Sequence, residues 1–113
     1  MKRTGVPFDQ LCVLSGLPAP MAEYRFDAHG HPPRRWRWDF CWPDLTGGVA
    51  LEVNGAIFTQ GKHSRGAGQM NDFEKWSEGA AQGWRVLHVT PEQLESTATF
   101  DWIRRALAST QGE

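Results

Sequence analysis

The chain has 113 residues, enough for one domain that buries a core without disulfide staples. A 40% apolar and 22% charged composition excludes a disordered or low-complexity chain, and no run approaches the about 20 apolar residues of a membrane span. The net charge of −1 does not by itself mark a nucleic-acid partner, but the basic residues Lys2, Arg3, Arg25, Arg34, Arg35 and Arg37 precede Asp39, and a neutral total can hide a basic patch.

Residues Phe8–Gly16 are expected to form a short helix with Leu11, Val13 and Leu14 inward and Gly16 as its stop. Pro18 and Pro20 force an extended connection to a short strand over Glu23–Asp27, and Ala28–Pro33 carries turn chemistry. Arg34–Trp42 alternates as a strand, with Trp36, Trp38, Phe40 and Trp42 on one face and Arg35, Arg37, Asp39 and Cys41 on the other. A Pro43-Asp44 and Gly47-Gly48 turn leads to a partner strand, Val49–Val53, with Glu52 and Asn54 facing away from Val49, Leu51 and Val53. Gly55–Gly68 is a polar, glycine-rich loop. A helix over Met70–Gln82 is expected to bury Met70, Phe73, Trp76 and Ala80 and to stop at Gly83. Trp84–Val89 is the next strand, and Phe100–Ala108 a closing helix with Trp102, Ile103 and Leu107 inward. The order implies an α/β class with a small mixed β-sheet flanked by helices, or α+β with helices flanking a small sheet.

Asp39 and Glu52 are the chemically informative residues. Each sits inside a short apolar segment, and Glu52 lies in Val-Ala-Leu-Glu-Val, where a lone carboxylate would be desolvated at a cost of several kcal/mol. If the register brings them level, two acids on neighbouring strands suit a hard cation such as Mg2+; the plainer alternative pairs Asp39 with an arginine at the surface. Asn54 reads as a turn residue before Gly55 or as a neutral hydrogen-bonding group beside that site. Lys75 either makes a surface pair with Asp72 or reaches over the sheet to Glu52. The basic loop Gly61-Lys62-His63-Ser64-Arg65-Gly66 lacks the Walker pattern but has phosphate-binding chemistry. His29, His31 and Cys41 lack a fourth zinc ligand at sensible spacing. Cys12 and Cys41 form no CxxC pair and are expected as buried free thiols in a reducing compartment; with no signal sequence visible, the expected location is cytoplasmic.

The segments Arg35-Trp36-Arg37-Trp38-Asp39-Phe40, Leu51-Glu52-Val53-Asn54-Gly55, Gly61–Gly66, Asp72-Phe73-Glu74-Lys75 and Gly83–Leu87 resemble, in this order, the PD-(D/E)XK nuclease superfamily. They are most similar to small phage and bacterial endonuclease-domain proteins related to very-short-patch mismatch endonucleases. The resemblance implies a restriction-endonuclease-like αβββαβα core and a metal-dependent DNA endonuclease. It implies that Asp39 and Glu52 hold Mg2+ (or Mn2+), with the Val53 carbonyl as a further ligand and Glu23 as a metal-linked acid. It also implies that His63 and Arg65 approach the scissile phosphate, while Arg35, Arg37 and Lys62 suit contacts to the DNA backbone. The superfamily usually carries lysine two residues after the second acid, where this chain has Asn54, so Lys75, Lys62 or His63 would have to substitute. The missing lysine also motivates an alternative, a non-catalytic nucleic-acid-binding module with the same fold. Symmetric cutting of two strands would favour a homodimer.

Overall fold

The computed structural model describes residues 5–30, 32–45, 47–54 and 67–111, with the backbone course alone for 67–71, 110 and 111. Helix α1 (Phe8–Leu14) leads into β1 (Met21–Arg25), β2 (Arg37–Asp44) and β3 (Gly47–Val53). Helix α2 (Ala67–Ala81), β4 (Trp84–Val89), a short 3-10 turn (Pro91–Gln93) and helix α3 (Thr97–Gln111) complete the order. The sheet runs β1-β2-β3-β4; β1–β2 and β2–β3 are antiparallel and β3–β4 is parallel. Among the described strands, β2 alone runs opposite to the rest. The expected mixed α/β class with helices flanking a small sheet is what the chain forms.

The sheet separates two cores. On one side Phe8, Cys12 and Leu17 meet Trp42, Val49, Leu51, Val89, Leu94, Ile103 and Ala106, so α1 and α3 cover this face. On the other, Trp38, Cys41, Ala50 and Trp84 pack with Tyr24, Phe26, Trp76 and Val86 under α2. The layering follows from β3, whose Val49 and Leu51 feed one core and Ala50 the other, as two-faced burial of a central strand requires. Cys12 and Cys41 are buried free thiols.

The β2–β3 turn depends on glycine. Gly48 has φ +123°, and a Cβ there would run into the Trp42 carbonyl oxygen and the Pro43 backbone. The glycines therefore let β2 continue through Pro43-Asp44, residues whose composition suggested a turn.

Several sequence expectations are corrected. The tryptophans of β2 do not share one face: Trp38 lies with Cys41 under α2, while Phe40 and Trp42 lie in the opposite core. The pleat breaks at Asp39. Ala22 pairs with Phe40 and Tyr24 with Trp38, leaving Glu23 and Asp39 outside the ladder, and Glu23 takes a left-handed φ of +53°. A non-glycine residue adopts that conformation at a cost, and here it accompanies the reversal of face.

Helices α1 and α2 are also rotated relative to expectation. In α2, Phe73 and Ala80 are exposed, whereas Lys75 faces inward and Gly79 is buried against Trp38. A Cβ on Gly79 would come within 2.6 Å of the Trp38 ring, so the missing side chain is what lets α2 approach the sheet. In α1, Val13 and Leu14 are exposed and Phe8 and Cys12 are the buried pair; in α3, Ile103 and Ala106 point inward while Trp102 is exposed. In α1 and α2 the bulkiest apolar residues mark the wrong face, because Cys12 and Gly79 are the residues that meet the sheet; in α3 the expected Ile103 and Leu107 do pack on the core, and only Trp102 departs.

Candidate active site

The break in β2 creates the site. The β2–β3 ladder is paired from Asp44↔Gly47 to Phe40↔Leu51 and stops there. One residue beyond, Asp39 and Glu52 supply with their side chains the hydrogen bonds that the ladder no longer makes. The Asp39 amide donates to Glu52 Oε2 at 3.0 Å, and the Val53 amide donates to Asp39 Oδ2 at 2.8 Å. Each acid thus caps the other's strand, and this crossed arrangement fixes both carboxylates at one level of the sheet.

Glu52 is 3% exposed, and its second oxygen, Oε1, accepts from Lys75 Nζ at 2.6 Å. Lys75 is itself nearly enclosed and lies 5.3 Å from the centre of the Trp38 ring, so the ammonium sits between a carboxylate and an aromatic face. Of the two readings open for Lys75, the reach over the sheet to Glu52 is the one the structure has. Burial pushes Glu52 above the ordinary glutamate range; the Lys75 hydrogen bond and charge and the Asp39 amide pull it back, and the Asp39 charge adds to the rise. Two acids with one lysine leave the cluster with an excess of negative charge.

A groove of about 360 Å³ opens beside the acids, lined by Ala22, Glu23, Asp39, Phe40, Val53 and Leu94. Three residues of the implied metal set, Glu23, Asp39 and Val53, therefore share one recess, and the fourth, Glu52, is tied to Asp39. Glu23 is exposed and lies 3.8 Å from Arg37 Nη1, a solvated contact worth little energy. The plain alternative for Asp39, a surface pair with Arg35 or Arg37, is not formed: Arg37 meets Glu23 instead. Arg35 and Arg37 are exposed near the start of β2. Lys62, His63 and Arg65 lie outside the described residues. Among the described residues, no three His, Cys, Asp or Glu side chains converge as a metal-ion cluster.

Asn54, just past the end of β3, is a neutral hydrogen-bonding group next to Glu52's strand partner. Its amide donates to the Val89 carbonyl at 2.8 Å, extending the β3–β4 pairing by one residue, and its side-chain Oδ1 lies 2.7 Å from His88 Nδ1. His88 is directly opposite Glu52 in the parallel register, and its ring meets Trp76 edge-on at 4.6 Å. Burial, then the Lys75 charge, lowers the His88 pKa. Sequence reasoning missed His88. The signal was there: Trp84, Val86 and His88 alternate on β4, and the first two belong to the core under α2.

Among the described residues, the indole N–H groups of Trp38 and Trp76 are buried and find no hydrogen-bond partner. An orphaned donor costs about 1–3 kcal/mol, so the aromatic wall behind Lys75 is held by packing, including the Phe26–Trp38 stack at 4.1 Å.

The chain is similar to two uncharacterized proteins from two strains of Mycobacterium tuberculosis, each 29% identical over 79 residues. The match takes in 70% of this chain and 26% of each relative, so the chain spans about a quarter of the curated relatives it matches. No protein-family model matches the chain, and no solved structure matches it. No described helix is long and apolar enough to cross a membrane.

Proposed function

We propose that the chain is a divalent-cation-dependent DNA endonuclease of restriction-endonuclease-like fold, with its site at Asp39 and Glu52. The observation that carries the reading is the crossed pair of carboxylates, from adjacent strands, fixed where the β2–β3 ladder ends beside an open groove. Among the described residues, an αβββαβα order and a sheet in which β2 alone runs against the other strands support the same reading.

The donor set fits a hard cation. Asp39, Glu52 and the Val53 carbonyl offer oxygen atoms, Glu23 lines the same groove, and the cluster's excess negative charge is complementary to Mg2+ or Mn2+. Asp39 and Glu52 would hold the ion, with Val53 and Glu23 beside it. When bound, such an ion lowers the pKa of a coordinated water and offsets charge developing on the phosphate. Lys75 fixes the Glu52 carboxylate and is the buried cation of the cluster, so it takes the part of the lysine that the superfamily usually carries where this chain has Asn54. Arg35 and Arg37 contact the DNA backbone, a role indifferent to sequence, and Lys62, His63 and Arg65 remain assigned by resemblance to the phosphate.

A second reading has its own observation: both oxygens of Glu52 are satisfied inside the fold, as a purely structural tie requires. It makes the chain a non-catalytic DNA-binding module. The test is Asp39→Asn, which keeps an oxygen for the Val53 amide and so keeps the fold. Loss of Mg2+-dependent DNA cleavage with an unchanged circular dichroism spectrum supports the nuclease site. Cleavage equal to the parent's places the chemistry elsewhere.

A further inference from the structure

We propose that His88, oriented by Asn54, is a catalytic residue of this site, and that its imidazole Nε2 receives the hydrogen bond of the attacking water. The inference rests on the nuclease reading of the Asp39–Glu52 cluster and adds to it a residue from a strand that carries none of the acids.

Three observations lead there. First, His88 and Glu52 are directly paired across β3 and β4, so the ring stands at the level of the carboxylates. Second, the ring is fixed on two sides. Asn54 Oδ1 lies 2.7 Å from Nδ1, and Trp76 meets the ring edge-on at 4.6 Å. An amide oxygen only accepts, so Nδ1 must carry the proton and donate it. In the neutral ring this leaves the bare lone pair on Nε2. Third, Nε2 makes no hydrogen bond among the described residues, and His88 is an exposed residue. A histidine held at Nδ1, with no described partner on Nε2, has the arrangement used to hold a reacting water.

The same geometry explains Asn54. At the position where the resemblance leads one to look for lysine, the chain has a side chain that cannot take up or donate a charge. Its oxygen is spent on His88, which makes Asn54 a positioning residue. In the hydrolysis, the water oxygen forms the new bond to phosphorus and the bond to the leaving oxygen breaks with its electron pair. The proton released by the water passes to Nε2 and then to solvent, and solvent protonates the leaving oxygen.

The test joins nitrogen NMR of the full chain to kinetics at one fixed pH. In the parent, His88 is expected as the Nδ1–H tautomer, with Nε2 shifting when a DNA oligonucleotide is added in the presence of EDTA. Asn54→Ala is expected to mix the tautomers. His88→Ala is expected to lower kcat by about 100-fold with little change in KM, the usual scale of an acid–base residue. Asn54→Ala should give a smaller loss in the same direction and none when His88 is already absent. The opposite tautomer, or an Nε2 signal that DNA leaves unmoved, overturns the proposal, as does a His88→Ala variant with the parent's kcat. If the parent cuts no DNA, the nuclease reading fails. The oligonucleotide shift then decides separately whether His88 faces a phosphodiester.

Discussion

Replacing Lys75 by methionine puts the cluster's electrostatics to a quantitative test. Glu52 would keep its hydrogen bond from the Asp39 amide and lose the 2.6 Å contact with Nζ, while its side chain stays 4% exposed. Removing one partner of a buried pair typically costs about 3–5 kcal/mol. Protonation sets a ceiling. A buried carboxylate that cannot stay charged takes up a proton, and holding a glutamic acid neutral at pH 8 costs about 5 kcal/mol, at roughly 1.4 kcal/mol per pH unit above an ordinary value near 4.3. At pH 5 the same ceiling is about 1 kcal/mol. The sign follows from the direction of the shift: Glu52 is already raised by burial, and losing Lys75 raises it further. A group raised on folding imposes no penalty below its unfolded pKa, and the penalty grows as pH rises toward the folded pKa. Urea unfolding of parent and Lys75→Met at pH 5 and pH 8 is the assay. The expected result is a loss of several kcal/mol at pH 8 that shrinks to about 1 kcal/mol at pH 5, with Glu52→Gln restoring most of it in the double variant. A loss that is equal at both pH values, or absent at pH 8, would refute the reasoning.

Three further outcomes are expected. Gly79→Ala should destabilise by about 1–3 kcal/mol because its methyl would press on the Trp38 ring, although alanine favours a helix over glycine by about 1 kcal/mol; a more stable variant in thermal melts would contradict the packing. Burial pushes the thiols of Cys12 and Cys41 up to about 12, so at pH 8 neither should react with an aromatic disulfide reagent until denaturant is added. A prompt reaction of either in the native protein would show that its core is open. Glu23→Ala should change stability by less than about 1 kcal/mol, since its contact with Arg37 is exposed and the residue now bears a left-handed backbone; a larger loss in urea unfolding would mean that the turn of the strand depends on it.

The sequence made the order of elements and the two acids legible because both rest on local signals. β4 was bounded correctly at Trp84–Val89, with Gly83 before it and Thr90-Pro91 after. The level of Asp39 with Glu52 followed from period-2 alternation only in outline. What alternation could not reveal is the broken pleat, since a residue outside the ladder has no sequence mark, and Glu23 gives no hint of a positive φ. The faces of the helices were obscured for a related reason. Phe73 and Leu14 carry more apolar surface than Gly79 or Cys12, yet close packing on the sheet selects the smaller residues. His88 went unread because a lone histidine on a strand is informative only once its partner, Asn54, is known to lie beside it.

In the proposed function, Asp39 and Glu52 form a cation-dependent site for phosphodiester hydrolysis. Its most direct test is a titration of Mg2+ and Mn2+ into the parent chain and Asp39→Asn with labelled junction, flap, mismatched, single-stranded and duplex DNA, reading binding and products together. The expected result is metal-dependent products from the parent on at least one substrate, none with EDTA, and none from Asp39→Asn. DNA binding by the parent without product at any metal concentration would contradict it and leave the chain a binding module.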